Sequence, residues 1–235
     1  MNLTVEEKKD FPRNLDEMDY TVEYPREFYI EYINSFIVGR KKKYFFRFAK
    51  RFGDILCSGV ALALLFPMFA IISLLIKVDS NGPVFFKQKR IGRDGKEFTC
   101  IKFRSMRVDA PRNAPTSLLN NPEQYYTNLG KFLRKTSIDE LPQLLCVFVG
   151  TMSLIGYRPL VPNEVKANDM RAKLGVFSMR PGISGLAQVK GRDDVYYKNK
   201  ALLDAEYVKN ASVWLDIKLI IQTVVVMLKK TGNKS

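Results

Sequence analysis

The sequence contains no histidine. That absence excludes Ser-His-Asp triads, Cys-His dyads, histidine metal ligands and histidine general bases together. Cysteine is scarce: Cys57, Cys100 and Cys146 lie far apart with no CxxC pair. Such spacing fits a reduced compartment and no zinc knuckle. Acid is in short supply too, with 24 Asp and Glu against 38 Lys and Arg, a net charge of +14. A surplus of that size implies an anionic partner: nucleic acid, an anionic membrane surface or phosphorylated substrates. Catalysis is left to carboxylates, Lys, Arg, Tyr or an oxygen-ligated metal such as Mg²⁺. Residues 1–31 are acidic and lack an apolar core, so no cleavable signal sequence is expected.

The charge is uneven. Residues 1–31 hold 9 acidic and 4 basic side chains, which places the positive field on everything after them. Residues 40–51, RKKKYFFRFAKR, carry seven basic side chains interleaved with four rings and no acid. Nucleic acid or a membrane surface would suit that stretch, and the segment just downstream favours the membrane. From residue 55 to residue 76 there is no charge at all. As a helix, that run rises roughly 33 Å, about the thickness of a bilayer's hydrocarbon core. The bland alternative is a buried helix of a soluble protein, but such helices rarely lack a polar face for so long.

Two features argue against a simple span. Pro67 sits near the middle, where it removes a backbone hydrogen bond and kinks a helix. Both flanks are basic: residues 40–51 upstream, and Lys77 through Arg107 downstream. Basic flanks stay in the cytoplasm, so both ends point to one side. A re-entrant helix bent at Pro67 satisfies both features, whereas a span satisfies only the length.

Beyond the apolar run, VFFKQKRIG and EFTCIKFRSM alternate apolar and charged residues around Gly92-Arg93-Asp94-Gly95, which predicts a β-hairpin. Residues 110–128 are rich in Pro and Asn and read as a loop. Residues 130–145 read as helix in two pieces broken around 137–142, residues 153–162 as loop, and 164–173 as helix. Residues 180–185 read as a turn-rich loop followed by a short strand, LAQVKG. Two helices follow, at 196–210 and 213–230. The last is apolar nearly all round, but Asp216 and Lys218 favour an interfacial or core position over a deep span. In the acidic appendage, a short helix is expected over 27–36, with packing or partner contact as its default role. The overall expectation is an α-rich α/β membrane protein. Its divisions are an appendage at 1–45, a membrane helix at 46–78, a catalytic domain at 79–230 and a tail at 231–235.

The segment Thr136-Ser137-Ile138-Asp139-Glu140-Leu141-Pro142 stands out. Its plain reading is a helix start, with Ser137 and Glu140 as a capping box. A helix start also offers unpaired N–H groups to phosphate. Two adjacent carboxylates there can share Mg²⁺ or divide the work of nucleophile and base. Several basic residues suit phosphate as well. Lys102 and Arg104 share one side of a predicted strand. Arg134 precedes Asp139 on a helix, and Arg158 and Arg180 each stand ahead of a Pro turn. Arginine forks recognise phosphate bidentately, although any one Arg alone is more often a solvated surface residue.

Six ordered motifs carry a resemblance: KRFGDILCSGVALALLFPMF, GPVFFKQKRIGRDGKEFTCIKFRSM, LGKFLRKTSIDELPQL, MSLIGYRPLVP, RPGISGLAQVKGR and LDAEYV. The chain resembles the bacterial sugar transferases, the small monotopic phosphoglycosyl transferases, from about residue 48 to 228. The resemblance implies a re-entrant membrane helix, interfacial amphipathic helices and a small catalytic region on the cytoplasmic face of the bacterial inner membrane. It implies a Mg²⁺-dependent ping-pong reaction in which Asp139 attacks the sugar-bearing phosphate of a UDP-sugar, releases UMP and holds the phosphosugar. Polyprenyl phosphate, undecaprenyl in kind, would then take it. That step opens capsule, exopolysaccharide, O-antigen or glycoprotein glycan assembly. Glu140 would act as base or assist the metal. Lys102, Arg134, Arg158, Arg180 and Asp204 fall at motif positions used for phosphate, nucleotide or site architecture.

Anionic membrane lipids are expected partners and nucleic acid is not. The oligomeric state is open, a homodimer included, and the sugar is not legible. Two other readings remain: a non-catalytic adaptor binding anionic lipids, and a glycosyltransferase releasing UDP instead of UMP.

Overall fold

The computed structural model describes residues 18–25, 27–30, 44–111, 121–191 and 196–228. Residues 40–43, 112–120 of the expected 110–128 loop, 31–36 of the expected 27–36 helix, Lys229, Lys230 and the 231–235 tail lie outside them. The described part is helix-rich, with two small two-stranded sheets.

The uncharged run forms the middle of α1, a 36-residue helix spanning Tyr44–Asp79 with Pro67 inside it. Its apolar window is long and hydrophobic enough to cross a membrane, yet only 11% of that window is buried by the protein. A soluble core helix would be mostly covered, so the face bearing Leu64, Phe66, Ile71 and Leu74 needs an apolar solvent. Ser58 and Ser73 each turn their hydroxyls back to the carbonyl four residues earlier, which satisfies both hydroxyls within the helix.

The protein grips α1 at both ends. Near its start, buried Asp54 accepts hydrogen bonds from Ser153 Oγ (3.1 Å) and Leu154 N (3.0 Å). Near its end, Ile72 and Ile76 pack in a buried cluster with Phe103 and Leu133. Asp79 Oδ2 accepts from Leu129 N (3.2 Å), in the first turn of the next helix.

The expected hairpin is present. Strand β1 (Phe85–Ile91) pairs antiparallel with β2 (Glu97–Phe103), with Phe85 opposite Phe103 and Ile91 opposite Glu97. The broken helix is present as well: α2 (Asn128–Lys135), a 3-10 turn at Ile138–Glu140, and α3 (Gln143–Val149). Thr127 caps α2, its Oγ1 accepting from Gly130 N at 3.0 Å. The helices α4 (Val165–Lys173), α6 (Tyr197–Asn210) and α7 (Val213–Leu228) fall where the sequence places helices.

Three expectations are corrected. The 153–162 stretch is not all loop: Ser153–Ile155 is strand β3, and it pairs in parallel with β4 (Gly182–Ser184) inside the expected turn-rich loop. LAQVKG is not a strand but helix α5 (Leu186–Gly191), since Gln188 N and Val189 N both turn back to Gly185 O. Ser137 caps nothing: it sits in the left-handed region at φ 58°, and its side chain makes no capping bond. The β3–β4 crossing explains the glycines of two motifs. A Cβ on Gly185 would lie 1.8 Å from Gly156 O, and one on Gly156 would lie 2.5 Å from Arg180 O.

The acidic appendage contributes to the core. Met18, Phe28 and Tyr29 are buried with Tyr157, Leu202 and Ala205. Tyr29 Oη donates to Asn199 Oδ1 (2.9 Å), and Asn199 Nδ2 donates to the carbonyls of Tyr20 and Val22.

Candidate active site

Asp139 is placed by packing from below. The preceding residue, Ile138, packs against the cluster of Ile72, Ile76, Phe103 and Leu133. Phe103 stacks on Phe85 (5.5 Å between ring centres) and meets Phe69 edge-on (5.2 Å). The apolar helix therefore forms the floor beneath the Asp139 turn. Strand alternation then sends Lys102 to the opposite side from Phe103, toward the carboxylates.

Glu140 holds the cations. Its Oε1 accepts from Lys102 Nζ at 2.6 Å and from Arg158 Nη2 at 3.0 Å. Its Oε2 faces Arg158 Nη1 at 3.5 Å. Burial pushes the Glu140 carboxyl up, but Arg158 and Lys102 outweigh that and hold it well below the usual carboxylate range. A carboxylate so held is a weak base. Its evident work is to fix Lys102 and Arg158 beside Asp139.

Asp139 is the opposite case. It is only 5% exposed, and its carboxylate makes no side-chain hydrogen bond or ion pair among the described residues. Burial pushes its carboxyl above the usual Asp range, the Lys102 charge pulls it back, and Glu140 adds to the rise. Asp139 thus stands beside a fixed cation pair with its oxygens unclaimed by any described side chain.

Among the described residues no group of three or more acidic, Cys or His side chains could hold a metal. Mg²⁺ seldom needs such a cage, since one or two carboxylates plus substrate phosphates suffice. Asp139, with its lone pairs open, fits that role. Glu140 fits it less well, because both oxygens face cations.

The other expected site residues separate. Arg134 belongs to the last turn of α2, its guanidinium 4.6 Å from the Tyr126 ring centre. It is near enough to Asp139 to lower its pKa. Asp204 is fully buried on α6 and paired with Arg171 (2.5 Å). Burial pushes its carboxyl up to about 6, against the pull of Arg171. Arg171 also donates to Arg158 O (2.8 Å), so Asp204 acts on the site through Arg171 and the Arg158 backbone. Sequence reasoning missed Arg171, which carries no turn or motif signal.

Arg104 does not face the site with Lys102. The strand ends at Phe103, and Arg104 turns back to donate to the carbonyls of Ser80 (2.5 Å) and Asn81 (2.7 Å). Those are the orphan acceptors just past the end of α1, which a guanidinium satisfies well. Arg180 donates from Nε to Gly150 O (2.7 Å) and lines a cleft beside the start of α1, away from Asp139.

A helix long and apolar enough to cross a membrane thus lies beneath a turn whose carboxylates stand among cations. The model of the family described as "Bacterial sugar transferase" matches residues 45–230. The chain belongs to that family, and it is a phosphoglycosyl transferase. It is 37% identical over 199 residues to the exopolysaccharide production protein ExoY of Rhizobium meliloti (strain 1021), covering 79% of this chain and 88% of that protein. It is 39% identical over 203 residues to the undecaprenyl-phosphate galactose phosphotransferase of Salmonella typhimurium, covering 79% of this chain but 42% of that protein. It is 38% identical over 185 residues to the UDP-glucose:undecaprenyl-phosphate glucose-1-phosphate transferase of Escherichia coli (strain K12), covering 76% of this chain and 40% of that protein.

Proposed function

We propose that the enzyme moves a sugar-1-phosphate from a UDP-sugar to undecaprenyl phosphate through a phosphosugar ester of Asp139, as an opening step of exopolysaccharide or capsule assembly. The single observation that carries the reading is the contrast between the two carboxylates. Glu140 is tied to Lys102 and Arg158, while its buried neighbour Asp139 has no side-chain bond among the described residues and its basicity is raised. The names of the relatives supply the substrates, a UDP-sugar and undecaprenyl phosphate.

In the first step an Asp139 oxygen attacks the phosphorus that bears the sugar. An O–P bond forms to the carboxylate, and the bond to the uridine phosphate breaks, with UMP leaving as an anion. Lys102 and Arg158 offset the charge on the non-bridging oxygens. In the second step a phosphate oxygen of the lipid attacks the same phosphorus, and the Asp139 carboxylate leaves. Glu140 is a positioning residue throughout. A bound Mg²⁺, held by Asp139 and substrate phosphate, would screen the meeting of carboxylate and diphosphate, and chelator treatment is expected to stop turnover.

The same proposal makes α1 re-entrant, with the catalytic domain on the cytoplasmic face. Its support is that one domain holds both ends of α1, through Asp54 at one and Ile76 and Asp79 at the other. A helix crossing the bilayer would carry its ends to opposite sides.

The test is incubation of the purified enzyme with Mg²⁺, undecaprenyl phosphate and a panel of UDP-sugars. UMP is the expected nucleotide product. UDP as the product would replace this mechanism with direct glycosyl transfer.

A further inference from the structure

A second basic site lies away from Asp139. A cleft with a cavity volume of about 50 Å³ is lined by Arg47, Lys50 and Arg51 of α1, Arg93 of the hairpin turn and Arg180, with Asp54 as its one acidic side chain among the described residues. Lys50 pairs with Asp216 (2.6 Å) and Arg93 with Asp94 (3.4 Å), both just outside the lining. The other three arginines are satisfied by neutral oxygens. Arg51 donates to the carbonyls of Val147 and Phe148, Arg180 to Gly150 O, and Arg47 to Ser178 O. Carbonyls satisfy donors but cancel no net charge, so the cleft keeps a surplus of positive charge.

Crowding of like charge shows in Arg180. Burial and the neighbouring Arg93 and Arg51 all press its pKa below the ordinary arginine value. Only its Nε is bonded among the described residues, and both terminal nitrogens of its fork remain open. A fork with open terminal nitrogens, in a cleft with excess cations, matches a phosphate oxyanion.

The place matters as much as the charge. Arg47, Lys50 and Arg51 come just before the uncharged run begins at residue 55, so the cleft lies at headgroup depth where anionic lipid concentrates. It is not the Asp139 site. Lys102 stands at the open end of the hairpin and Arg93 in its turn. The length of β2 alone separates them by roughly 17 Å.

We propose that this cleft is a second phosphate-binding site, taking a phosphate group presented by a phospholipid headgroup or free in solution. A phosphate there would draw Arg47, Arg51, Arg93 and Arg180 together. It would tie the root of α1 to the hairpin turn and to the loop before β4. The inference does not depend on the chemistry at Asp139, and its test reads binding alone.

The test uses the full chain in an uncharged detergent with two probes: inorganic phosphate, and phosphatidylglycerol added to the same micelles. Binding of each is read by phosphorus NMR line broadening and by the thermal unfolding midpoint. The wild type is expected to bind at least one probe, and R47Q/R93Q to bind it about tenfold more weakly, through loss of charged hydrogen bonds. A second variant, K87Q/K166Q, removes the same charge from exposed positions outside the cleft and is expected to bind like the wild type. If R47Q/R93Q is unstable without ligand, R93Q alone replaces it, since Arg93 stands in an exposed turn. Binding of phosphatidylglycerol alone assigns the site to a lipid headgroup, and binding of both probes assigns it to any phosphate. No binding by the wild type, undiminished binding by R47Q/R93Q, or equal loss in K87Q/K166Q would each overturn the proposal.

Discussion

Two adjacent carboxylates in one short turn have opposite surroundings. Glu140 reaches Lys102 and Arg158 and is held ionised, whereas Asp139 is buried without a bonding partner among the described residues. Asp139→Asn is expected to lower kcat by about 10³-fold or more, measured as UMP release. Glu140→Gln is expected to cost about 10²-fold through loosened cations, with the nucleophile intact. The pH dependence has a definite sign. Asp139 must be ionised to attack, and its raised pKa keeps it protonated higher than an ordinary Asp. The acid limb of kcat/KM should therefore lie above the ordinary Asp value of 3.8. Lys102→Met removes the strongest opposing charge and should move that limb higher still. An acid limb that is unmoved in the Lys102 variant counts against Asp139 as the titrating group. The sequence singles out the Asp-Glu pair as a candidate, and of the cations it offers the structure brings Lys102 and Arg158 to Glu140. The division between the two acids is not legible there, because it depends on which acid the fold lets the cations reach.

At the level of elements, packing couples the apolar helix to the chemistry. Phe103 is 1% exposed between α1 and the Asp139 turn. Phe103→Ala should destabilise the enzyme by about 3–5 kcal/mol, read by chemical denaturation, and should reduce activity beyond the loss of folded protein. The parallel β3–β4 pair makes a second demand. Gly185→Ala places a methyl against Gly156 O, and a fall in thermal midpoint is expected. An unchanged midpoint would mean that the crossing has more room than its geometry indicates. The long helix, the hairpin and the broken helix over Asp139 follow from periodicity, turn residues and an uncharged run, all local signals. Strands β3 and β4 are three residues each and meet across 29 residues, so no local pattern announces them. LAQVKG alternates well enough to look extended, yet closes onto Gly185 O as a helix. Arg104 fell outside the site because β2 stops one residue earlier and the end of α1 needs donors.

For the whole molecule, the expectation is that both ends of α1 share a side with the catalytic domain. Single cysteines at Phe45 and Val78, both well exposed, should react from the cytoplasmic side in a background lacking Cys57, Cys100 and Cys146. Opposite sidedness would make α1 a true span and detach the domain from one of its anchors. The appendage shows the limit of reading by family. Residues 18–30 lie outside the matched 45–230, yet Met18, Phe28 and Tyr29 are core. The most direct test is intact mass spectrometry of enzyme mixed with Mg²⁺ and its UDP-sugar donor, without lipid acceptor. The account predicts a gain of one sugar phosphate less one water, carried on the peptide containing Asp139, absent from Asp139→Asn and discharged by undecaprenyl phosphate. UMP release with no such adduct, or the same adduct on the Asn variant, would contradict it.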